Sequence, residues 1–152
     1  MYLNREAISK KLEITDPFLM IDEIQLDLDS NKAISLKKLN KEDWYYSCHL
    51  PRSPVMPATL QMEGMLQTLV LIIYNLEEHK LSRSFIVDTK AKFYSKVFKQ
   101  PFINYHAELT YNKRGIFKGT VKGRYLEENI CEGFFTYASP QLMNLPSNKN
   151  NI

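Results

Sequence analysis

Apolar residues are densest over residues 58–76, where Leu60, Met62, Met65, Leu66, Leu69, Val70, Leu71, Ile72, Ile73 and Tyr74 follow one another with no helix breaker until about Asn75. They fall on every side of a 3.6-residue repeat, and a helix that is apolar all round is a buried one. Pro57 suits the first helical position, where its fixed φ and missing N–H cost nothing. Near the start, Asn4 can cap a short helix over Arg5–Leu12, with Ala7, Ile8 and Leu12 on one side, and Pro17 closes that segment.

Elsewhere the period shortens to two. Phe18–Leu28 reads as a strand with Met20, Asp22, Ile24, Leu26 and Leu28 on one face. Asp29-Ser30-Asn31 supplies a turn, and Lys32–Leu39 alternates, with Ile34 and Leu36 set against Ser35 and Lys37, as a half-exposed hairpin strand. Ser84–Phe93, Pro101–Tyr111, Ile116–Tyr125 and Ile130–Ser139 read as four more strands in an antiparallel meander, turning at Asn112-Lys113-Arg114-Gly115 and Glu127-Glu128-Asn129. One long apolar helix with about six strands predicts an α+β fold, a curved antiparallel sheet wrapped around the helix. Residues 1–139 form one domain on this reading, and 140–152 a flexible polar tail.

Composition narrows the function classes. A chain of 152 residues that is 44% apolar can bury one substantial core. Its net charge of +3 is spread and mild, so nucleic acid is not an expected partner. No apolar run approaches the roughly 20 residues that span a bilayer, and no signal-peptide pattern opens the chain, so a soluble cytoplasmic protein without membrane contact is expected. Cys48 and Cys131 have neither metal nor disulfide spacing and are expected as small buried hydrophobes. In an extended segment Cys48 and His49 would point apart, which makes them a poor pair for a thiol with its base. His79, beyond the long helix, and His106, sharing a strand face with Asn104 and Glu108, read as surface residues. Trp44, Tyr45 and Tyr46, just before His49, can pack a core or wall a binding site.

Two titratable groups stand out. His49 lies in a proline-studded turn, and Glu63 follows fourteen residues later inside the apolar helix, where a carboxylate is costly. His49-Leu50-Pro51 with Pro54-Val55-Met56-Pro57 and Glu63 resembles the active-site segment of the FabZ-type 3-hydroxyacyl-[acyl carrier protein] dehydratases, enzymes of hot-dog fold. Pro17-Phe18-Leu19-Met20-Ile21-Asp22, Val87-Asp88-Thr89-Lys90-Ala91-Lys92-Phe93 and Arg114-Gly115-Ile116-Phe117-Lys118 extend the likeness in the family's order over residues 4–139. The loop departs from the family's pattern. Arg52 stands where a loop glycine is usual, and Cys48 and Ala58 replace flanking glycines, which costs roughly 1 kcal/mol or more wherever φ must be positive.

The resemblance implies dehydration of a 3-hydroxyacyl thioester to a trans-2-enoyl thioester, in a fatty-acid or polyketide-type pathway. That reaction needs a base for the α-proton, an acid for the leaving hydroxide and a donor for the thioester carbonyl. His49 and Glu63 are the catalytic candidates, with the proton assignment between them open. The Ala58 backbone N–H, at the helix start, is the candidate donor. The resemblance further implies a homodimer, or a trimer of such dimers, with His49 of one subunit opposite Glu63 of the other, an acyl carrier protein as partner, and no metal or cofactor beyond the carrier's phosphopantetheine. Lys90, Lys92, Lys96 and Lys99 form a positive stretch that either solubilises its strand or docks the acidic carrier. A hot-dog thioesterase and a non-catalytic acyl-binding subunit are the alternatives.

Overall fold

A computed structural model describes residues 1–76 and 83–143. Its seven strands form one antiparallel sheet: β1 (Tyr2–Asn4), β2 (Glu23–Asp27), β3 (Lys32–Lys38), β4 (Phe85–Phe93), β5 (Phe102–Lys113), β6 (Ile116–Tyr125) and β7 (Glu128–Ala138). The helices are α1 (Arg5–Leu12), α2 (Trp44–Cys48), α3 (Ala58–Asn75) and α4 (Pro140–Met143). Strand order across the sheet is β1-β2-β3-β5-β6-β7-β4. The sheet packs on α3 through β3, β5, β6 and β7, which is the wrapped helix expected of a hot-dog fold.

The long helix forms where the apolar density predicts it. Leu69, Leu71, Ile72 and Ile73 are fully buried, and only the N-terminal half keeps a half-open face at Thr59, Met62, Glu63 and Leu66, spaced as one helical stripe. Pro57 sits one position earlier than expected, as the N-cap with φ −54° and ψ 136°. Ala58 therefore holds the first helical position and brings an N–H there that proline lacks. Asn4 caps α1 as read from sequence, its Oδ1 accepting the Ala7 N–H at 3.0 Å.

Several expectations need correction. Residues 18–22 are not strand: Leu19, Met20 and Ile21 are all buried in an irregular segment, held by the Met20 N–H donating to Gln67 Oε1 at 2.8 Å. On β3 the buried face is Ala33, Ser35 and Lys37, while Ile34 is 48% exposed. Ser35 Oγ meets Thr68 Oγ1 of α3 at 2.6 Å, and Lys37 Nζ lies 4.0 Å from Asp22, so partners compensate the buried polar groups. The last four strands are not a simple meander, because β4 crosses to the far edge and pairs with β7, not β5. Leu142, in the stretch expected as tail, packs on the core from α4. His79 and residues 144–152 lie outside the described residues.

Candidate active site

The segment before His49 is helical, not extended. In α2, Asp43 Oδ2 accepts from the Tyr45 hydroxyl at 2.7 Å and from the Asn40 N–H at 3.1 Å, which anchors the first turn. Tyr45 and Tyr46 pack edge-on in the core with ring centroids 4.6 Å apart, and Tyr46 meets Phe98 at 5.9 Å. These tyrosines are core residues, while Trp44 is exposed. Cys48 ends α2 on the surface, contrary to expectation. Cys131 is the buried thiol, its pKa pushed up to about 12 by burial, which keeps it unreactive.

His49 caps the C-terminus of α2, its N–H donating to the Tyr45 carbonyl at 2.8 Å. The chain then turns sharply through Leu50, which adopts φ +58°, and closes with the Ser53 N–H on the Leu50 carbonyl at 2.7 Å. Cys48, Arg52 and Ala58, the positions without the family's glycines, all have ordinary negative φ. The left-handed residue of this loop is Leu50, so the lost glycines carry none of the strain expected of them. The Met56 N–H then bonds the Val97 carbonyl at 2.8 Å and ties the loop to the segment after β4.

The ring of His49 is oriented by the same turn. Its Nδ1 lies 2.8 Å from the Val55 carbonyl oxygen. A carbonyl only accepts, so Nδ1 carries the proton and the neutral ring keeps its lone pair on Nε2. His49 lines a pocket of about 330 Å³ together with Val55, Met56, Ala58, Gln61 and Phe93. At its inner wall α3 begins, and the Ala58 N–H lies in the first turn, where no intrahelical acceptor exists and the helix dipole is positive.

Glu63 is not in that pocket. It projects from the half-open stripe of α3, where Gln67 Nε2 donates to its Oε1 at 2.9 Å, and burial raises its pKa above the ordinary carboxylate range while that hydrogen bond partly offsets the shift. Within one chain the two catalytic candidates are therefore separated, each on its own side of the helix. Lys96 lines the His49 pocket, and Lys99 lines an adjoining one of about 300 Å³ with Leu50, Pro54 and Phe98. Lys90 and Lys92 are exposed on β4, outside the lining of either pocket, and Lys92 stands across from Glu132 of β7. The four lysines thus form two groups, not one stretch. His106 is exposed on β5 as read from sequence, its pKa lowered by partial burial and by Arg124.

Gln61 and Gln67, buried in α3, were missed by the sequence reading. Their signal is the same as that of Glu63: a polar side chain in a helix otherwise apolar on all sides.

Residues 14–133 match the model of the FabA-like domain. The chain belongs to the FabA-like family. Among the relatives of this FabA-like chain is the 3-hydroxyacyl-[acyl-carrier-protein] dehydratase FabZ of Alkaliphilus metalliredigens, 30% identical over 140 residues, which cover 91% of this chain and 95% of that one. The enzyme of the same name from Petrotoga mobilis is 31% identical over 130 residues, 85% of this chain and 91% of its own. In fold, the FabA-like chain superposes on a mutant thioesterase from Pseudomonas aeruginosa with a TM-score of 0.69 at 9% identity, over 90% of this chain and 94% of that one. A likeness at that identity concerns the fold, which is hot-dog. Among the described residues no helix is long and apolar enough to cross a membrane, and no His, Cys, Asp and Glu side chains gather as a metal-ligand set.

Proposed function

We propose that this chain is a 3-hydroxyacyl-[acyl carrier protein] dehydratase, a lyase that eliminates water across C2–C3 of a carrier-bound 3-hydroxyacyl thioester. The observation that carries the reading is the His49–Val55 hydrogen bond, which leaves Nε2 as a base in a pocket walled by the start of α3. His49 Nε2 takes the α-proton, and the electron pair moves toward the thioester carbonyl, whose oxygen is held by the Ala58 N–H. As the C2–C3 double bond forms, the C3–O bond breaks. Glu63, whose burial favours its protonated form, delivers the proton that converts the leaving hydroxide to water.

Because Glu63 lies outside the His49 pocket of its own chain, the site is completed by a second copy. Two features support the homodimer. The stripe of Thr59, Met62, Glu63 and Leu66 is half-open, and β4, an edge strand, exposes Phe85 at 61%, Val87 at 61% and Phe93 at 41%. An exposed apolar edge of this kind calls for a covering partner. The acyl carrier protein is the macromolecular partner, and its acidic surface suits Lys96 and Lys99 at the pockets better than Lys90 and Lys92 on β4. The reaction calls on no metal or nucleotide, and phosphopantetheine arrives with the substrate.

The deciding experiment is incubation with 3-hydroxyacyl thioesters. Trans-2-enoyl product, and its hydration in reverse, is expected. Release of free thiol without enoyl product would instead establish a thioesterase, and binding without turnover an acyl-binding subunit.

A further inference from the structure

Gln61 is 3% exposed, lies one turn beyond Ala58 on the same face of α3 and lines the His49 pocket. Its side-chain Oε1 has no hydrogen-bond partner among the described residues. Gln67, buried on the same helix, is the contrast: its Oε1 accepts from the Met20 N–H at 2.8 Å, and its Nε2 donates to the Phe18 carbonyl and to Glu63 at 2.9 Å each. Gln67 is a structural amide with both ends engaged. Gln61 is a polar group placed in the wall of a reactive pocket, where an apolar residue would leave nothing unpaired. Folded proteins leave few such atoms, because each one forfeits its bond to water.

We propose that the Gln61 carboxamide binds the 3-hydroxyl of the acyl chain and makes the site selective for hydroxylated over saturated substrates. The inference rests on the dehydratase reading for the identity of the chain bound. With the thioester carbonyl on the Ala58 N–H and the α-carbon at His49, the hydroxyl sits on the next carbon along the chain, and Gln61 lies one helical turn beyond Ala58. A hydroxyl both donates and accepts, so it satisfies the amide whichever way the amide is turned. The side-chain carboxylate of Glu63 in the same chain is on the other side of the helix and engaged by Gln67. A saturated chain leaves the Gln61 amide unpaired in a desolvated pocket, which is how a site built around a hydroxyl rejects an analogue without one.

The test uses unreactive pantetheine amides of 3-hydroxyacyl and saturated acyl chains of equal length, with binding measured by calorimetry. Wild-type protein should prefer the hydroxylated ligand by about tenfold or more, and Gln61→Leu and Gln61→Met should bind both ligands equally. An absent preference in wild type overturns the proposal without any variant, and so does a preference that survives in either folded variant. Turnover of the true thioester gives a second readout. The overall equilibrium is fixed, so loss of a hydroxyl contact made in both ground and transition states should raise KM for dehydration, yet lower kcat for hydration with KM for the enoyl unchanged. Equal loss of kcat in both directions with both KM values unchanged would mark Gln61 as a structural support and overturn the assignment. Wild type that prefers the hydroxylated ligand but forms no enoyl product would refute the dehydratase reading and leave the Gln61 assignment standing.

Discussion

Glu63 Oε1 accepts a 2.9 Å hydrogen bond from Gln67 Nε2, one turn along the same helix. Burial raises the pKa of this carboxyl in the folded state, and the Gln67 hydrogen bond offsets part of the rise. A carboxyl whose folded pKa exceeds its unfolded one binds more protons when folded, so stability falls as pH rises from the ordinary carboxylate value through the raised one. Glu63→Gln keeps an acceptor for Gln67 and removes this dependence. Denaturation of the two proteins should therefore show the variant gaining on wild type as pH rises through that window; a constant difference would contradict the raised pKa.

His49→Ala should lower dehydration by about 10²–10⁴-fold with little change in Tm, because the side chain is half-buried and, among the described residues, bonds the Val55 carbonyl. Glu63→Gln alone should be similarly inactive. Mixed dimers of the two variants should regain activity, since one of their two sites holds both groups intact. Folded mixed dimers with no activity would show that the site is not shared.

Lys99 lines the pocket beside the one that holds His49, whereas Lys90 lies on β4 outside both linings. Lys99→Glu should lower kcat/KM for carrier-bound substrate by about tenfold at low salt and leave a small thioester unaffected, while Lys90→Glu should do much less. Equal losses on both substrates would remove Lys99 from the docking surface.

Gly64 is a packing position. A Cβ there would lie 2.6 Å from Cε2 of the fully buried Tyr105 ring. Gly64→Ala should cost roughly 1–3 kcal/mol through overpacking, measured by urea denaturation, and Tyr105→Leu in the same chain should relieve part of it.

What the sequence made legible was what local periodicity encodes. The central helix, the α1 cap at Asn4 and the β5–β6 turn at Arg114-Gly115 were readable because the decisive interactions lie within a few residues. Three features were not. The inward face of β3 was hidden because Ser35 and Lys37 are buried against partners far away in the chain, and a paired buried polar residue looks the same in sequence as an exposed one. Helix α2 is too short to show a period. The separation of His49 from Glu63 within one chain was implied by the family resemblance alone, because it depends on how each packs around α3 and spacing along the chain is silent on that.

Strand β4 is made before β5, β6 and β7, yet its hydrogen-bonding neighbour is β7, the last of them. During synthesis the segment Phe85–Phe93 must wait unpaired, with Phe85, Ile86, Val87 and Phe93 uncovered, until Glu128–Ala138 has left the ribosome, and closure of the sheet is then a late, long-range event. A chain truncated before β7 would keep the residues of the His49 pocket but lack the strand that holds β4 beside it, and would emerge as an aggregating species, not a smaller active domain.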